Sequence, residues 1–315
     1  MKDQTITLRS ASARAEILPG CGGTVDRLDL SAPPTAREPN GTEAIAVLAA
    51  QPAEERRGAC EPGYFRGRLL APFNDRIPGG IYRFEGREYE LPINDWESGD
   101  AIHGFLYPEE MELVSREESN LELAFQATAE RWPGYPFELE LRARYELGES
   151  SFRLDLTGTN RGHSPLPLAL GWHPYFQLPG SAVADELALQ VAATRYVEVD
   201  ENLLPTGAMP PVRGSEFDFG TSRRVGPGDI DLAFRLDPGV VPSARLSDGR
   251  YRLSVTAGDS ADYLQLFVPP DRRSIAVEPV TSATDSFNRP ELGRSSLEPG
   301  ESLTLSASVA LSVAS

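Results

Sequence analysis

The feature that most constrains this chain is an alternation of period two. Phe137, Leu139, Leu141, Ala143, Tyr145 and Leu147 alternate with Glu138, Glu140, Arg142, Arg144 and Glu146. Successive side chains of a strand point to opposite faces, so the pattern predicts a strand with one face in a core and the other in water. Gly148-Glu149-Ser150 reads as a turn. Phe152, Leu154 and Leu156 then alternate with Arg153 and Asp155, and the whole predicts a hairpin. The pattern returns over 121–128 and over Leu303, Leu305, Ala307, Val309, Leu311 and Val313, with shorter strands predicted at 251–256 and 262–268. Turn pairs punctuate it at Pro19-Gly20, Gly79-Gly80, Pro133-Gly134, Pro238-Gly239, Asp248-Gly249 and Pro299-Gly300. No long helical stripe interrupts, so the expected fold class is all-β, a large antiparallel β-sandwich.

No linker of distinct composition and no repeat divides the chain, and residues 1–315 read as a single domain. The least regular stretch, Pro33–Gly63, is expected to carry the only substantial helix or an irregular insertion. A chain of 315 residues buries about three quarters of its unfolded surface, so its core needs no metal or disulfide staple.

Composition excludes several function classes. With 47 acidic and 30 basic residues the net charge is −17, which argues against nucleic acid and anionic membrane surfaces as partners. Lys2 is the one lysine, which removes Schiff-base and P-loop chemistry. Cys21 and Cys60 are too few for a disulfide framework or a cysteine-rich zinc site. They leave a single Cys21–Cys60 bridge open, but reduced thiols in a cytoplasmic protein are the expectation. The N-terminus lacks an apolar signal-type region, and the nearest apolar run, Ala44–Ala50, is too short to span a membrane.

The candidate chemistry is sparse. His163 lies in the turn-like Asn160–Pro165 and reads as a solvated loop residue. His173 follows the apolar run Leu166–Trp172, and His103 lies in Ala101–Phe105, so both are expected to be at least partly buried. The spacing of the three histidines matches no metal motif. Glu278 interrupts the apolar Ser274–Val277 and precedes Pro279; a carboxylate ending an apolar strand is paired, functional or at a sheet rim. Asp231, in Gly228–Phe234, reads as a turn residue, and Arg76 is ambiguous on context alone. Gly20–Gly23 reads as a glycine-bent strand rather than the seat of a thiol nucleophile.

Several blocks, in order, resemble the aldose 1-epimerases (galactose mutarotases). They are Leu69–Phe84 around Arg76, Leu91–Asp95 with Ile102-His103-Gly104, and Gly171–Phe176. Tyr196–Gly207, Phe217–Phe219 and Asp231–Phe234 follow, then Leu264–Phe267 and Val277–Asn288. The resemblance runs from about Ile17 to the C-terminus. It implies a galactose mutarotase-like supersandwich that interconverts anomers of free aldoses without cofactor or metal, as a monomer or homodimer. It implies Glu278 as general base and His173 as general acid. His103, Arg76, Asp231 and Gln265 would bind sugar hydroxyls or the ring oxygen, with Tyr175 and Trp172 as an aromatic wall. One position departs from the family pattern: Asp75 precedes the arginine where many members have asparagine, and Asn74 stands one earlier. A carboxylate there still accepts a hydroxyl's hydrogen bond but cannot donate one. Two other readings stay open. One is a hexose-6-phosphate mutarotase served by Arg66, Arg68 or Arg83. The other is a non-catalytic carbohydrate-binding sandwich.

Overall fold

The structure, a computed structural model, describes residues 4–34, 42–50, 60, 64–293 and 296–314. Nearly all regular structure is β, and among the described residues the helical elements are single 3-10 turns such as Pro19–Cys21 and Pro78–Gly80. The alternating segments become Asn120–Ala127, Leu139–Leu147, Ser151–Asn160 and Ser302–Val313, adjacent in a nine-stranded antiparallel sheet. Leu147 faces Phe152 at the end of the expected hairpin. Leu141, Ala143, Leu154, Leu156, Leu305 and Val309 are buried, while Arg142 and Arg144 stay on the wet face and pair with Glu122. Each such leucine contributes roughly 1.5–3 kcal/mol by leaving water.

A seven-stranded sheet packs behind this one and carries the strands that matter for function. Its order runs through Ala193–Tyr196, Asp231–Leu236, Tyr263–Phe267, Ile275–Val280, Gly171–Trp172 and Leu69–Leu70, with Tyr175–Phe176 also pairing with Ile275–Val280. Ile275 and Val277 turn into the core shared with the nine-stranded sheet, and Trp172 reaches Phe152 across it at 5.9 Å. A four-stranded sheet over Ile6–Ser10, Ala13–Leu18, Thr24–Leu30 and Ile45–Ala46 joins the same core.

Strand Ile275–Val280 continues through Pro279, whereas the sequence suggested that Glu278 ends it. The amides of Val277 and Thr281 donate to Pro174 and Leu170 of the adjoining segment. Pro279, between them, has no N–H to give. There the ladder opens between Gly171–Trp172 and Tyr175–Phe176, and His173 leaves it beside Glu278.

Two expectations change. Cys21 and Cys60 are joined by a disulfide across a separation of 39 residues, with Cα atoms 5.0 Å apart, so the expectation of reduced thiols is corrected. The fold brings the cysteines together through the contact of the Pro19–Cys21 turn with residue 60, which spacing alone does not reveal. The cytoplasmic expectation loses the argument it rested on, because disulfides persist mainly in oxidising compartments. Within Pro33–Gly63 the described part holds the short strand Ile45–Ala46 and no helix, and the rest of that stretch lies outside the described residues. Among the described residues no helix is long and apolar enough to cross a membrane.

Candidate active site

One face of the seven-stranded sheet forms the floor of a cavity of about 800 Å³. Neighbouring strands set Ala233, Gln265 and Glu278 side by side in register, because Ala233 pairs with Gln265 and Gln265 with Glu278. Side chains in register on adjacent strands share a face. Asp231 opens its strand opposite Phe267 and accepts a hydrogen bond from Gln265 Nε2 at 2.8 Å. It is a strand residue rather than the turn residue its context suggested.

The walls come from loops. Residues 101–105 are zipped to 71–77 by the Ile77–Ala101 and Ala71–Gly104 bridges. This fixes His103 at a left-handed φ of 59° with Gly104 beside it at 71°. His103 Nδ1 lies 3.0 Å from the carbonyl of Asn74. A carbonyl only accepts, so Nδ1 carries the proton and Nε2 of the neutral ring is an acceptor. Arg76 donates to Asp95 at 2.9 Å, Ser98 at 2.7 Å and Asp100 at 3.0 Å. Asp75 accepts from the Arg76 amide and from the Thr284 hydroxyl, each at 2.6 Å.

At the centre, His173 Nδ1 lies 3.5 Å from Glu278 Oε1. The residues are 4% and 2% exposed. Among the described residues Nδ1 has no hydrogen-bond partner within the cavity wall. The imidazole stacks on Tyr175, with centroids 4.9 Å apart and planes 4° apart, and meets the edge of His103 at 5.1 Å.

Electrostatics follow from burial. Desolvation, then the charges of Asp75 and Asp231, raise the Glu278 carboxyl well above its ordinary value. Desolvation, then His103 and Arg66, push His173 well below its own. Asp231 rises to about 7, mainly by desolvation and next through Asp75. His103 is lowered, again chiefly by desolvation. Perturbed pairs of this kind in a cleft mark a functional site.

Glu278, His173, Arg76, His103, Asp231, Gln265, Tyr175 and Asp75 therefore all line one cavity. Trp172 does not: it is fully buried in the core, because it and His173 take opposite sides of the chain. His163 is exposed on its loop and outside the cavity, so the three histidines do not converge. Among the described residues no cluster of histidine, cysteine or carboxylates could hold a metal ion. Sequence reasoning missed Tyr64, Phe65, Glu97, Thr284 and the apolar rim of Val197, Val199 and Leu203. Tyr64, Phe65 and Glu97 carry no periodic or motif signal, while Val197, Val199 and Leu203 fall inside the Tyr196–Gly207 block and Thr284 inside the glutamate block.

The aldose 1-epimerase family profile matches residues 47–310. The chain belongs to the aldose 1-epimerase family. It is an isomerase of mutarotase type, built as a galactose mutarotase-like β-sandwich. It is 28% identical to the uncharacterized protein YihR of Escherichia coli K12 over 226 residues, covering 70% of this chain and 71% of that one. It is 28% identical to the galactose mutarotase of Rattus norvegicus over 168 residues, 52% of this chain but only 48% of the relative. Among solved structures, the GalM/aldose epimerase homologue from C. elegans superposes with a TM-score of 0.83 at 20% identity, covering 99% of both chains. The galactose 1-epimerase from Lactobacillus acidophilus NCFM gives 0.80 at 21% identity, covering 99% of this chain and 95% of that one. At such identities the structural likeness speaks for the fold.

Proposed function

We propose that this aldose 1-epimerase interconverts the α and β anomers of free, uncharged aldohexoses by acid–base ring opening, with Glu278 as base and His173 as acid. The observation that carries the reading is the buried Glu278–His173 pair, 3.5 Å apart at the floor of an open cavity. Mutarotation takes a proton from the anomeric hydroxyl and gives one to the ring oxygen as the bond from C1 to that oxygen breaks. The aldehyde then rotates about C1–C2 and closes on its other face. The reaction consumes no electrons and no net protons. Side chains that hold one movable proton suffice for it.

Desolvation raises the carboxyl and lowers the imidazole, which makes the Glu278 carboxylate a stronger base and the His173 imidazolium a stronger acid. With the proton on His173, Glu278 takes the O1 proton and His173 delivers its own to the ring oxygen. The return closure runs the same steps backwards. Asp231, Gln265, Asp75, His103 and Arg76 offer acceptors and donors around the pair, which suits a polyol whose hydroxyls both donate and accept.

The cavity favours an uncharged sugar over a hexose 6-phosphate. Arg76 is already engaged by two carboxylates, and Asp75, Asp95, Glu97, Asp231 and Glu278 make the lining acidic. Arg66, Arg68 and Arg83 do not line it: Arg66 bonds to Ser274, Arg68 to Thr24, and Arg83 pairs with Glu88.

Polarimetry tests the proposal. Freshly dissolved α-D-glucose or α-D-galactose should decay to its normal endpoint faster with the protein than without it, and glucose 6-phosphate should not. Folded Glu278→Gln should lose at least about 10² in kcat. Sugar binding without acceleration would leave a carbohydrate-binding protein and reject the catalytic roles.

A further inference from the structure

Arg66 stands behind the cavity wall. Its side chain is 5% exposed, and it is not among the residues that line the cavity. The guanidinium carbon lies 4.3 Å from the centroid of the Tyr175 ring. Tyr175 in turn stacks parallel on His173. The guanidinium and the imidazole thus both rest against the Tyr175 ring. Both Arg66 and Tyr175 are pinned. Arg66 NH1 donates to Ser274 Oγ at 3.0 Å, and NH2 lies 3.8 Å from Asp271. The Tyr175 hydroxyl donates to the carbonyl of Tyr64 at 2.9 Å, and Phe267 meets the Tyr175 ring edge-on at 6.2 Å.

We propose that Arg66 is a positioning residue for His173, acting through the ring of Tyr175. A desolvated cation over an aromatic face holds that ring in place, and the ring fixes the plane of the imidazole parallel to it. The orientation matters because the His173 nitrogen has to address both Glu278 and the sugar. The guanidinium also places a permanent positive charge behind the imidazole, which disfavours a second positive charge on His173. The other groups facing His173 are Glu278 from strand Ile275–Val280, His103 from its loop and Tyr175 itself, with Asp75 and Asp231 across the cavity. Arg66 is bonded to Ser274, next to that same strand, so it also ties the imidazole layer to the element that carries Glu278.

The inference rests on the proposed reaction for its consequence but not for its readout. Histidine titration by NMR gives the His173 midpoint directly, with exposed His163 as an internal reference. Arg66→Met keeps the stem and removes the charge. It should raise the His173 midpoint toward about 6.5 and lower kcat roughly tenfold with KM changed less than about twofold. Arg66→Lys keeps a charge without the planar fork, and should hold the midpoint near that of the parent while kcat still falls. Should Arg66→Met fail to fold, Ser274→Ala loosens the same guanidinium and should move the midpoint in the same direction.

An unmoved His173 midpoint in a folded variant, with kcat within about twofold of the parent, would overturn the proposal. So would a shift in Arg66→Lys as large as that in Arg66→Met. A shifted midpoint in a protein that turns over no sugar would uphold the link from Arg66 to His173 and reject only the reaction.

Discussion

In the proposed reaction Glu278 and His173 together hold the proton that moves, and the pH dependence should report it. Activity requires one proton on the pair. The imidazole is displaced downward, so the second proton binds below about 6.5, and the acid limb of kcat/KM belongs there. The carboxyl is displaced upward, so the last proton leaves above about 4.5, later than from an ordinary glutamate. The expected profile is a bell whose limbs belong to the pair rather than to either residue. An acid limb at or above about 6.5, or an alkaline limb at or below about 4.5, would count against the displaced pair. The sequence showed which residues to watch, because a carboxylate and two histidines in apolar runs need a reason to be there. It did not show that Trp172 and His173 would part, one to the core and one to the cavity. That depends on where the ladder opens opposite Pro279. Nor could it show Tyr64 and Phe65, whose positive φ values of 48° and 53° belong to an irregular wall without any periodic signal.

Among the elements, strands were legible wherever one face is wet. Leu139–Leu147 and Ser302–Val313 alternate because each has a core side and a solvent side. Strand Ile275–Val280 is buried throughout, so its pattern is a continuous run and its end was misplaced. The loop that carries His103 had no pattern at all; it is shaped by close backbone approach. Gly104 has φ 71°, and a Cβ there would overlap the carbonyl of Ala71. Gly104→Ala should therefore push the loop off the 71–77 segment and move His103 from its bond to Asn74. The expected costs are about 1–3 kcal/mol of stability, read by denaturant unfolding, and a larger loss of kcat/KM than of stability. A variant with unchanged unfolding and turnover would show that the loop tolerates displacement and that His103 does not depend on it.

For the molecule as a whole, charge and cysteine content bear on different questions. The net charge of −17 argues against nucleic acid and anionic membrane surfaces as partners, and the cavity lining is acidic as well. The two cysteines read as reduced thiols, yet the Cys21–Cys60 bridge fastens residue 60 to the turn after strand Ala13–Leu18, a few residues before Tyr64 and Phe65 enter the cavity wall. A cross-link acts mainly on the unfolded chain, and closing a loop of 39-residue separation is worth up to about 4 kcal/mol in the chain-entropy account. At roughly 2 °C per kcal/mol for a chain of this size, the Cys21→Ala/Cys60→Ala double variant should melt roughly 4–8 °C lower. Because the bridge also holds the approach to Tyr64 and Phe65, KM for sugar should rise more than kcat falls. Thiol titration of the denatured parent should find no free thiol before reduction. Two free thiols there, or a melting point unmoved in the double variant, would mean that the wall is held by packing and hydrogen bonds such as Tyr175 to Tyr64, and that the bridge has no part in it.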